Sequence, residues 1–373
     1  MRTNADAKGR EAACIATVQR IRMVLCHAAI RLRQALRRVG RKLFIANNAT
    51  MRKLHKKMRV MVFGVFDGLH EGHRAFLAAA RGQGSELIAI VARDSFVRAF
   101  KKKTPARDER RRLHAVQKFS AVDTAELADE IAGSYGVIKK FKPDIIAVGY
   151  DQDALAQDLR RRMRIGALVH ILIVRIRKYE DMREPLKEVS IPAEARRVFR
   201  GVIFDVYHWK QKMFDGTYEI FERLERRPTV DVIATRGSKI LVLHQQQPAR
   251  VPYRSLSGGG IHEGEAPISA ALRELCEETG TMSDDWSFMG EYFGSAKIRF
   301  HEYEYVARNV KKVARQHLDS GEKIKVGWMT FDEFLQCGRD PMFAISAYLK
   351  FRIYEALADP KKKEELRREI FFR

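Results

Sequence analysis

A glycine-rich turn followed by an acidic helix, within residues 259–280, restricts the fold of this chain more than any other feature. The segment reads GGIHEGEAPISAALRELCEETG, in which Pro267 suits a first helical turn and Gly280 suits the position after a last one. These two residues predict a helix between them. Three glutamates spaced at i, i+3 and i+4 put their carboxylates on one face of that helix: Glu274, Glu277 and Glu278.

Three carboxylates on one helix face repel each other unless a cation compensates their charge. Several anionic oxygen ligands favour a hard divalent ion, so the pattern predicts Mg²⁺ or Mn²⁺. A metal held against two phosphates would lower the barrier to attack by water. Arg273, four residues before Glu277, is expected to orient the cluster through an ion pair. A merely solvated acidic helix would leave the preceding glycines unexplained.

The segment resembles the signature of the NUDIX hydrolases, G-x5-E-x7-R-E-U-x-E-E-x-G-U, where U is a bulky aliphatic residue. Only the final aliphatic position departs, because it holds Thr281. The matching residues are Gly259, Glu265, Arg273, Glu274, Leu275, Glu277, Glu278 and Gly280. The resemblance implies an α/β/α sandwich that hydrolyses a nucleoside diphosphate linked to another group.

This resemblance also implies roles for individual residues. Glu277 and Glu278 would bind the metal, and Glu274 would bind metal or help to activate water. Gly259 and Arg273 would belong to the nucleotide site. The flanking sequence looks like the ADP-ribose and ADP-sugar pyrophosphatase branch, in which a loop acid acts as general base. Glu322 is the candidate for that base, with an ordinary turn residue as the alternative.

Strand-like and helix-like segments alternate between residues 59 and 176. The strand-like runs are Arg59–Val65, Leu87–Ala92, Ile145–Gly149 and Leu168–Ile176. The helix-like runs are His73–Ala80, Asp108–Phe119, Ala125–Phe141 and Ala154–Met163. Such alternation predicts a Rossmann-like parallel sheet covered by helices on both faces. Ligands of such sheets bind beyond the carboxyl ends of the strands.

The loop after the first of these strands reads His70-Glu71-Gly72-His73. Two imidazoles three residues apart at a helix N-terminus can face one anion, and the helix end adds free N–H groups. Gly72 permits close backbone approach. The arrangement suits a triphosphate attacked at its α-phosphorus, where developing negative charge must be stabilised.

The stretch Gly64–His73 (GVFDGLHEGH) resembles the HxGH nucleotidyltransferases of the cytidylyltransferase-like group. Gly149-Tyr150-Asp151-Gln152 is similar to the corresponding motif of archaeal-type FAD synthases. The resemblance covers about residues 58–180 and implies Mg²⁺-dependent transfer of a nucleotidyl group from an NTP to a phosphorylated acceptor. His70 and His73 would stabilise the transition state. The implied nucleotide-binding residues are Phe66, Asp67, Lys102, Gly149 and Asp151.

The resemblance leaves two alternatives open. In the related enzymes a Ser/Thr-rich turn opens the last helix, whereas residues 177–182 of this chain contain neither Ser nor Thr. The first domain could therefore bind a nucleotide without turnover. The domain order also resembles bifunctional nicotinamide-mononucleotide adenylyltransferase/ADP-ribose pyrophosphatases of NAD salvage.

Charge and composition divide the chain into five segments. Residues 1–57 hold fifteen basic and two acidic residues, and are expected to be a basic, disordered extension or an over-long start. The others are a nucleotidyltransferase-like domain, a linker, a NUDIX hydrolase domain and a charged, solvated tail, at residues 58–185, 186–200, 201–358 and 359–373.

The same features bear on partners. No apolar run is long enough to cross a membrane, and aromatic residues do not interleave the basic extension, so nucleic acid is not an expected partner. The expected ligands are nucleotides and nucleoside-diphosphate-linked small molecules, in the cytoplasm. The resemblance also allows a homodimer through the NUDIX domain.

Overall fold

The structure, a computed structural model, describes residues 58–102, 104–178, 190–293 and 297–372. The basic extension and Tyr179–Met182, which belong to the departure from the Ser/Thr-rich turn, lie outside these residues. Within the described part, no helix is both long and apolar enough to cross a membrane.

Buried runs of valine, isoleucine and alanine form a parallel sheet in the first domain. Its order is β3-β2-β1-β4-β5 and all neighbours are parallel, which confirms the predicted Rossmann-like fold. The strands are β1 Arg59–Gly64, β2 Glu86–Val91, β3 Thr124–Leu127, β4 Ile145–Val148 and β5 Leu172–Ile176. The helices are α1 Glu71–Arg81, α2 Asp94–Lys101, α3 Glu109–Gln117, α4 Gly136–Phe141 and α5 Asp153–Arg164.

The helix predicted over Ala125–Phe141 is wrong in its first part. Thr124–Leu127 is an edge strand parallel to β2, and only Gly136–Phe141 is helical. Alanine, glutamate and leucine favour a helix locally, but backbone pairing with β2 overrides that preference. Asp123 reinforces this edge, because its carboxylate accepts a hydrogen bond from the N–H of Leu87 at 2.7 Å.

The second domain places helices on both faces of a mixed sheet, which confirms the predicted α/β/α sandwich. Helix α6 Pro267–Thr279 packs on one face and α7 Phe331–Cys337, α8 Ala347–Ala358 and α9 Pro360–Phe371 pack on the other. The longer strands are β6 Arg196–Arg200, β7 Phe204–Lys212, β8 Tyr218–Arg226, β9 Thr229–Arg236, β10 Lys239–Gln246, β11 Tyr253–Ser255, β12 Ser257–Gly260, β14 Asp285–Phe293, β16 His301–Arg308 and β18 Lys323–Thr330. Four two-residue strands complete the set: β13 Thr281–Met282, β15 Ile298–Arg299, β17 Lys311–Lys312 and β19 Phe343–Ala344.

Two segments outside the predicted domain cores form regular secondary structure: the linker, and the tail, where residues 361–373 predict a mixed-charge helix with a solvated face. The predicted linker ends in strand β6, which pairs with β7. The predicted charged tail is helix α9, and it is not simply solvated, because Leu366 and Ile370 are fully buried against the NUDIX core. Its Glu369 also pairs with Arg177 and Arg352, at 2.7 and 3.0 Å.

The sheets of the two domains are continuous. Strand β5 of the first domain pairs in parallel with β14 of the second, with Trp286 opposite Val174. A buried hydrogen bond of 2.8 Å from the Tyr305 hydroxyl to the Gln83 side chain lies beside this junction. The sequence predicts two separate sheets and does not indicate this pairing.

Two carboxyl groups, one buried and one partly buried, lie opposite each other on neighbouring strands of the NUDIX sheet. Glu304 on β16 is in register with Asp231 on β9, and Glu304 is only 1% exposed. Burial raises the pKa of Asp231 to about 7 and that of Glu304 to about 8, and repulsion from the neighbouring Glu302 raises both pKa values further. The Ser346 hydroxyl donates a hydrogen bond to Glu304.

These raised pKa values predict that stability falls as the pH rises. Between the unfolded pKa of Glu304, 4.5, and its folded pKa of about 8, the folded state holds a proton that the unfolded state releases. Each such proton lowers the free energy of unfolding by about 1.4 kcal/mol per pH unit. We expect Glu304→Gln to flatten this decline in urea titrations between pH 5.5 and 8. The exposed Glu219→Gln is the control, and an unchanged slope in Glu304→Gln would contradict the assignment.

Candidate functional site

The two histidines of the first domain stand together where β1 leads into α1. Their rings are stacked, with centroids 3.8 Å apart, and Nδ1 of His73 lies 3.3 Å from the carbonyl oxygen of Gly68. A Cβ atom on Gly72 would come within 3.1 Å of the His70 ring, so glycine lets that ring lie against the helix start. No side chain caps the first turn of α1, whose N–H groups therefore remain available to an anion.

Phe66 packs against this histidine pair on the side of the protein core. Its ring is 1% exposed and meets the His73 ring edge-on at 5.5 Å, so it belongs to the floor of the site. A Cβ on Gly64 would lie 2.5 Å from the Phe66 ring, which explains the glycine at the end of β1. The structure thus gives Phe66 a supporting position where the sequence predicts nucleotide contact.

The carboxylate of Asp67 likewise has hydrogen-bond partners within the protein. Its carboxylate accepts hydrogen bonds from the N–H groups of Ala106 and Arg107, at 2.6 and 3.1 Å. These bonds tie the loop after β1 to the loop before α3. Asp67 therefore fixes the entrance of the site.

Arg112, which sequence reasoning did not single out, is the buried centre of these loops. Its guanidinium is fully buried and donates to the carbonyl oxygens of Val65, Ala92 and Arg107 at 2.5 to 3.0 Å. It also pairs with Asp94 at 2.6 Å. Its position in the sequence could have indicated this burial, because Arg112 lies four residues before the apolar Val116 and therefore on the same face of the helix.

A cavity at the carboxyl ends of the strands is lined by one of the three remaining predicted residues of this domain. Asp151 lies on its wall, and Gly149 is buried beside it, donating its N–H to Gln152 at 2.8 Å. The cavity has a volume of about 490 Å³, and its apolar walls include Phe63, Ile90, Phe96 and Leu155. Lys102 is exposed at the end of α2, in a left-handed conformation with φ 50°, and does not line the cavity.

In the second domain, Arg273 holds the acidic helix α6 to the loop that precedes it. Its guanidinium donates two hydrogen bonds of 3.0 Å to the two carboxylate oxygens of Glu265. It also contacts Glu274 at 2.7 Å, Glu277 at 3.3 Å and the carbonyl oxygen of Gly260 at 2.9 Å. The predicted ion pair to Glu277 is confirmed. Burial acts to raise the pKa of Glu265, but the Arg273 contacts hold it below its usual value.

Glu278 is the most enclosed of the three predicted metal ligands. The Ser257 hydroxyl and the Gly258 N–H donate to one of its oxygens, at 2.7 and 2.9 Å. Burial nevertheless raises its pKa to about 8, and burial also raises the pKa of Glu274. The fold therefore places two carboxyl groups where burial disfavours their negative charge unless a cation is bound.

These carboxyl groups fit a divalent ion chemically, although within the described residues no three acid, imidazole or thiol groups already form a metal-binding set. Arg273 holds Glu274 and Glu277 in this arrangement. The donors are anionic oxygens, as Mg²⁺ requires. A Cβ on Gly259 would lie 2.3 Å from the Glu274 carboxylate, so this glycine makes room for the carboxylate beside the helix.

Glu322 faces the same cluster from the start of β18. Its charge contributes to the raised pKa of both Glu274 and Glu278, and its side chain is half-buried. One of its oxygens lies 3.4 Å from the N–H of Asp319. Glu322 is thus near enough for its charge to act on two of the three helix acids, and its part in the site stays a prediction.

Comparison with known families matches both halves of the chain. The cytidylyltransferase-like family matches residues 61–212, and the NUDIX domain family matches residues 225–349. Both resemblances inferred from the sequence are thereby confirmed.

Two relatives match the first domain closely. The FAD synthase of Methanothermobacter thermautotrophicus is 43% identical over 129 residues, covering 33% of this chain and 81% of that protein. The FAD synthase of Pyrococcus horikoshii is 39% identical over 118 residues, covering 31% of this chain and 80% of that protein. The chain belongs to the FAD synthase family. It differs from a single-domain member in carrying a NUDIX domain, and is an enzyme with a nucleotidyltransferase domain and a hydrolase domain.

A solved structure matches over more of the chain. It is described as an ADP compounds hydrolase, is 20% identical, and covers 46% of this chain and 95% of its own, with a TM-score of 0.38.

The tight contact at Gly259 predicts a substitution that separates the two activities. We expect Gly259→Ala to displace Glu274 and lower NUDIX hydrolysis by about 10²-fold, while nucleotidyl transfer is unchanged. Gly260→Ala is the matched control, because a Cβ there would meet nothing within 4 Å. Steady-state rates of both reactions test this. Equal hydrolysis by the two variants would show that the position of Glu274 is not critical.

Proposed function

We propose that this protein is bifunctional. Its first domain transfers AMP from ATP to FMN, forming FAD and pyrophosphate. Its NUDIX domain hydrolyses the diphosphate linkage of an ADP-ribose-like compound, forming AMP and a phosphorylated second product. Both reactions would depend on Mg²⁺. The observation that carries the first activity is the stacked histidine pair, in the stretch whose first residues, Gly64 and Val65, line the apolar cavity, in a domain related to FAD synthases.

The acceptor is inferred to be FMN because the relatives with this motif set are named FAD synthases. The cavity of about 490 Å³ suits the planar ring that both ATP and FMN carry. The named relatives, and not the cavity, favour FMN over NMN, the acceptor in the NAD-salvage alternative.

In the proposed transfer, a phosphate oxygen of FMN attacks the α-phosphorus of ATP. The bond from that phosphorus to the bridging oxygen breaks, and pyrophosphate leaves. His70 and His73 would donate hydrogen bonds to the phosphate oxygens, on which negative charge accumulates. The uncapped N–H groups of α1 would assist them. Arg112 and Asp67 would keep the loops in place, and act only as positioning residues.

Pyrophosphate release tests this proposal. We expect release from ATP with FMN, but not with NMN or glycerol 3-phosphate. His73→Ala should lower the rate by about 10²- to 10³-fold because a donor to the transition state is lost. Glu277→Gln should leave this rate unchanged, since it lies in the other domain.

Release with NMN instead of FMN would support the NAD-salvage alternative. Tight nucleotide binding without release in the presence of any of the three acceptors would mean that the first domain binds without turnover.

For the hydrolase, the proposed metal ligands are Glu277 and Glu278, with Glu274 as a third ligand or a group that helps to activate water. A bound Mg²⁺ would neutralise diphosphate charge and polarise the phosphorus that water attacks. Glu322 is proposed to take the proton from that water, because its carboxylate faces the cluster from outside the helix. Arg273 would hold Glu274 and Glu277 in register.

A hydrolysis screen with ADP-ribose, NADH, FAD and nucleotide sugars tests this domain. We expect ADP-ribose to be preferred, and EDTA to abolish turnover until excess Mg²⁺ is added. Glu277→Gln should reduce the rate by about 10²-fold or more, since it removes a charged ligand. Glu263→Gln, an exposed residue in the loop before the helix, is the control. If Glu277→Gln and the control hydrolyse equally fast, the ligand assignment fails.

We also propose that a homodimer forms through the NUDIX domain. The surface it would use is the antiparallel sheet of β6, β7 and β8. That sheet and its turns expose several large apolar side chains, a composition typical of interfaces: Val198, Phe199, Ile203, Phe214, Tyr218 and Ile220.

A further inference from the structure

We propose that the NUDIX domain has a second ligand site, distinct from its carboxylate cluster, that binds a phosphate-bearing small molecule of nucleoside-diphosphate size. The site is a basic cavity between β10, β11 and β18. Its basic side chains lie on the sheet face opposite the catalytic helix α6.

The first argument is the register of basic side chains across three neighbouring strands. His244 at the centre of the row, on β10, is directly opposite Arg254 on β11 and Lys325 on β18. Lys323 lies two residues from Lys325 and therefore on the same face. Directly opposed side chains have Cβ atoms only about 5 Å apart, so these groups can contact one ligand together. The guanidinium and the two ammonium groups attract an anion, and the imidazole can donate a hydrogen bond to it.

The second argument is that few carboxylates of the protein neutralise the positive charge of this row. Asp340 pairs with Arg254 at 2.6 Å. Among the described residues, neither Lys323 nor Lys325 has a carboxylate within ion-pair distance. A Cβ on Gly327 would come within 2.9 Å of the His244 ring, so glycine leaves space for the imidazole on this face.

The third argument is the shape of the space in front of the row. The basic residues line a cavity of about 620 Å³, which is large enough for a nucleotide. Met342, 38% exposed, and Pro252 give it an apolar side against which a base could rest. The row is short and has no exposed aromatic platform, so the cavity suits a small molecule better than a nucleic-acid strand.

The alternation of side chains along the strands separates the basic side chains of this row from the catalytic cluster. Leu243 and Ile324 pack in the core that includes Leu275 of α6, whereas Val242 packs in the core beneath α7 and α8. His244 lies two residues after Val242, and Lys325 is directly opposite His244, so both side chains point to that second face. Glu322, which faces the catalytic acids, has the opposite parity to Lys323.

Calorimetric titration of the full-length protein with ADP tests the proposal, and inorganic pyrophosphate is the parallel probe. EDTA is present so that metal-dependent binding elsewhere is suppressed. We expect ADP to bind the first domain with an affinity that is the same in all variants, and to bind a second site with an affinity that weakens at least tenfold in Lys325→Gln and in Lys323→Gln. Lys239→Gln, an exposed lysine at the other end of β10, should bind like the parent. Binding of ADP much tighter than pyrophosphate would support a nucleotide site, and equal binding would reduce it to a site for the diphosphate group.

The two catalytic rates of each variant are measured alongside. Retention of both rates shows that a loss of ADP binding is local and not a failure to fold. If Lys323→Gln and Lys325→Gln bind ADP as tightly as Lys239→Gln, the proposed site does not exist. Since neither lysine belongs to the proposed catalytic machinery, this result would leave the two activities untouched.

Discussion

The parallel pairing of β5 with β14 is the interaction on which the arrangement of this protein depends. It turns two domains, each with its own signature, into one continuous sheet. Buried side chains reinforce the junction, because Arg160 of α5 lies 3.6 Å from Asp285 of β14, and Tyr305 donates to Gln83 just beyond α1. The helix that presents the histidine pair therefore ends against the NUDIX core, and both sites are attached to one continuous sheet.

Each site is organised by one arginine that is largely removed from water. Arg112 binds three carbonyl oxygens and Asp94, and Arg273 binds Glu265, Glu274 and Glu277 together with one carbonyl oxygen. A planar guanidinium can serve several acceptors in fixed directions, which a lysine cannot. Truncation of either residue would leave several buried acceptors unpaired, and each unpaired group costs about 1–3 kcal/mol. Loop position at both sites thus follows from the geometry of a single side chain.

The sequence predicts local features well, because they depend on nearby residues. The helix from Pro267 to Thr279 ends at Gly280 with φ 64°, as the glycine indicates. The order of strands and helices around His70 is also predictable. The misassigned strand Thr124–Leu127, the burial of Leu366 and the β5–β14 pairing are different, since each depends on a partner far away in the chain. Arg112 was missed for the same reason: three of its four partners lie on other segments.

The two sites also solve the same electrostatic problem in opposite ways. Both are expected to receive a chain of phosphates, which carries several negative charges. The first presents donors, namely two imidazoles and the uncapped N–H groups of α1, so that an anion can bind the protein directly. The second presents buried carboxyl groups, whose raised pKa values record the cost of their charge, and these would repel a diphosphate. A cation between carboxylates and phosphates resolves that conflict, so metal dependence should be more stringent in the hydrolase than in the transferase.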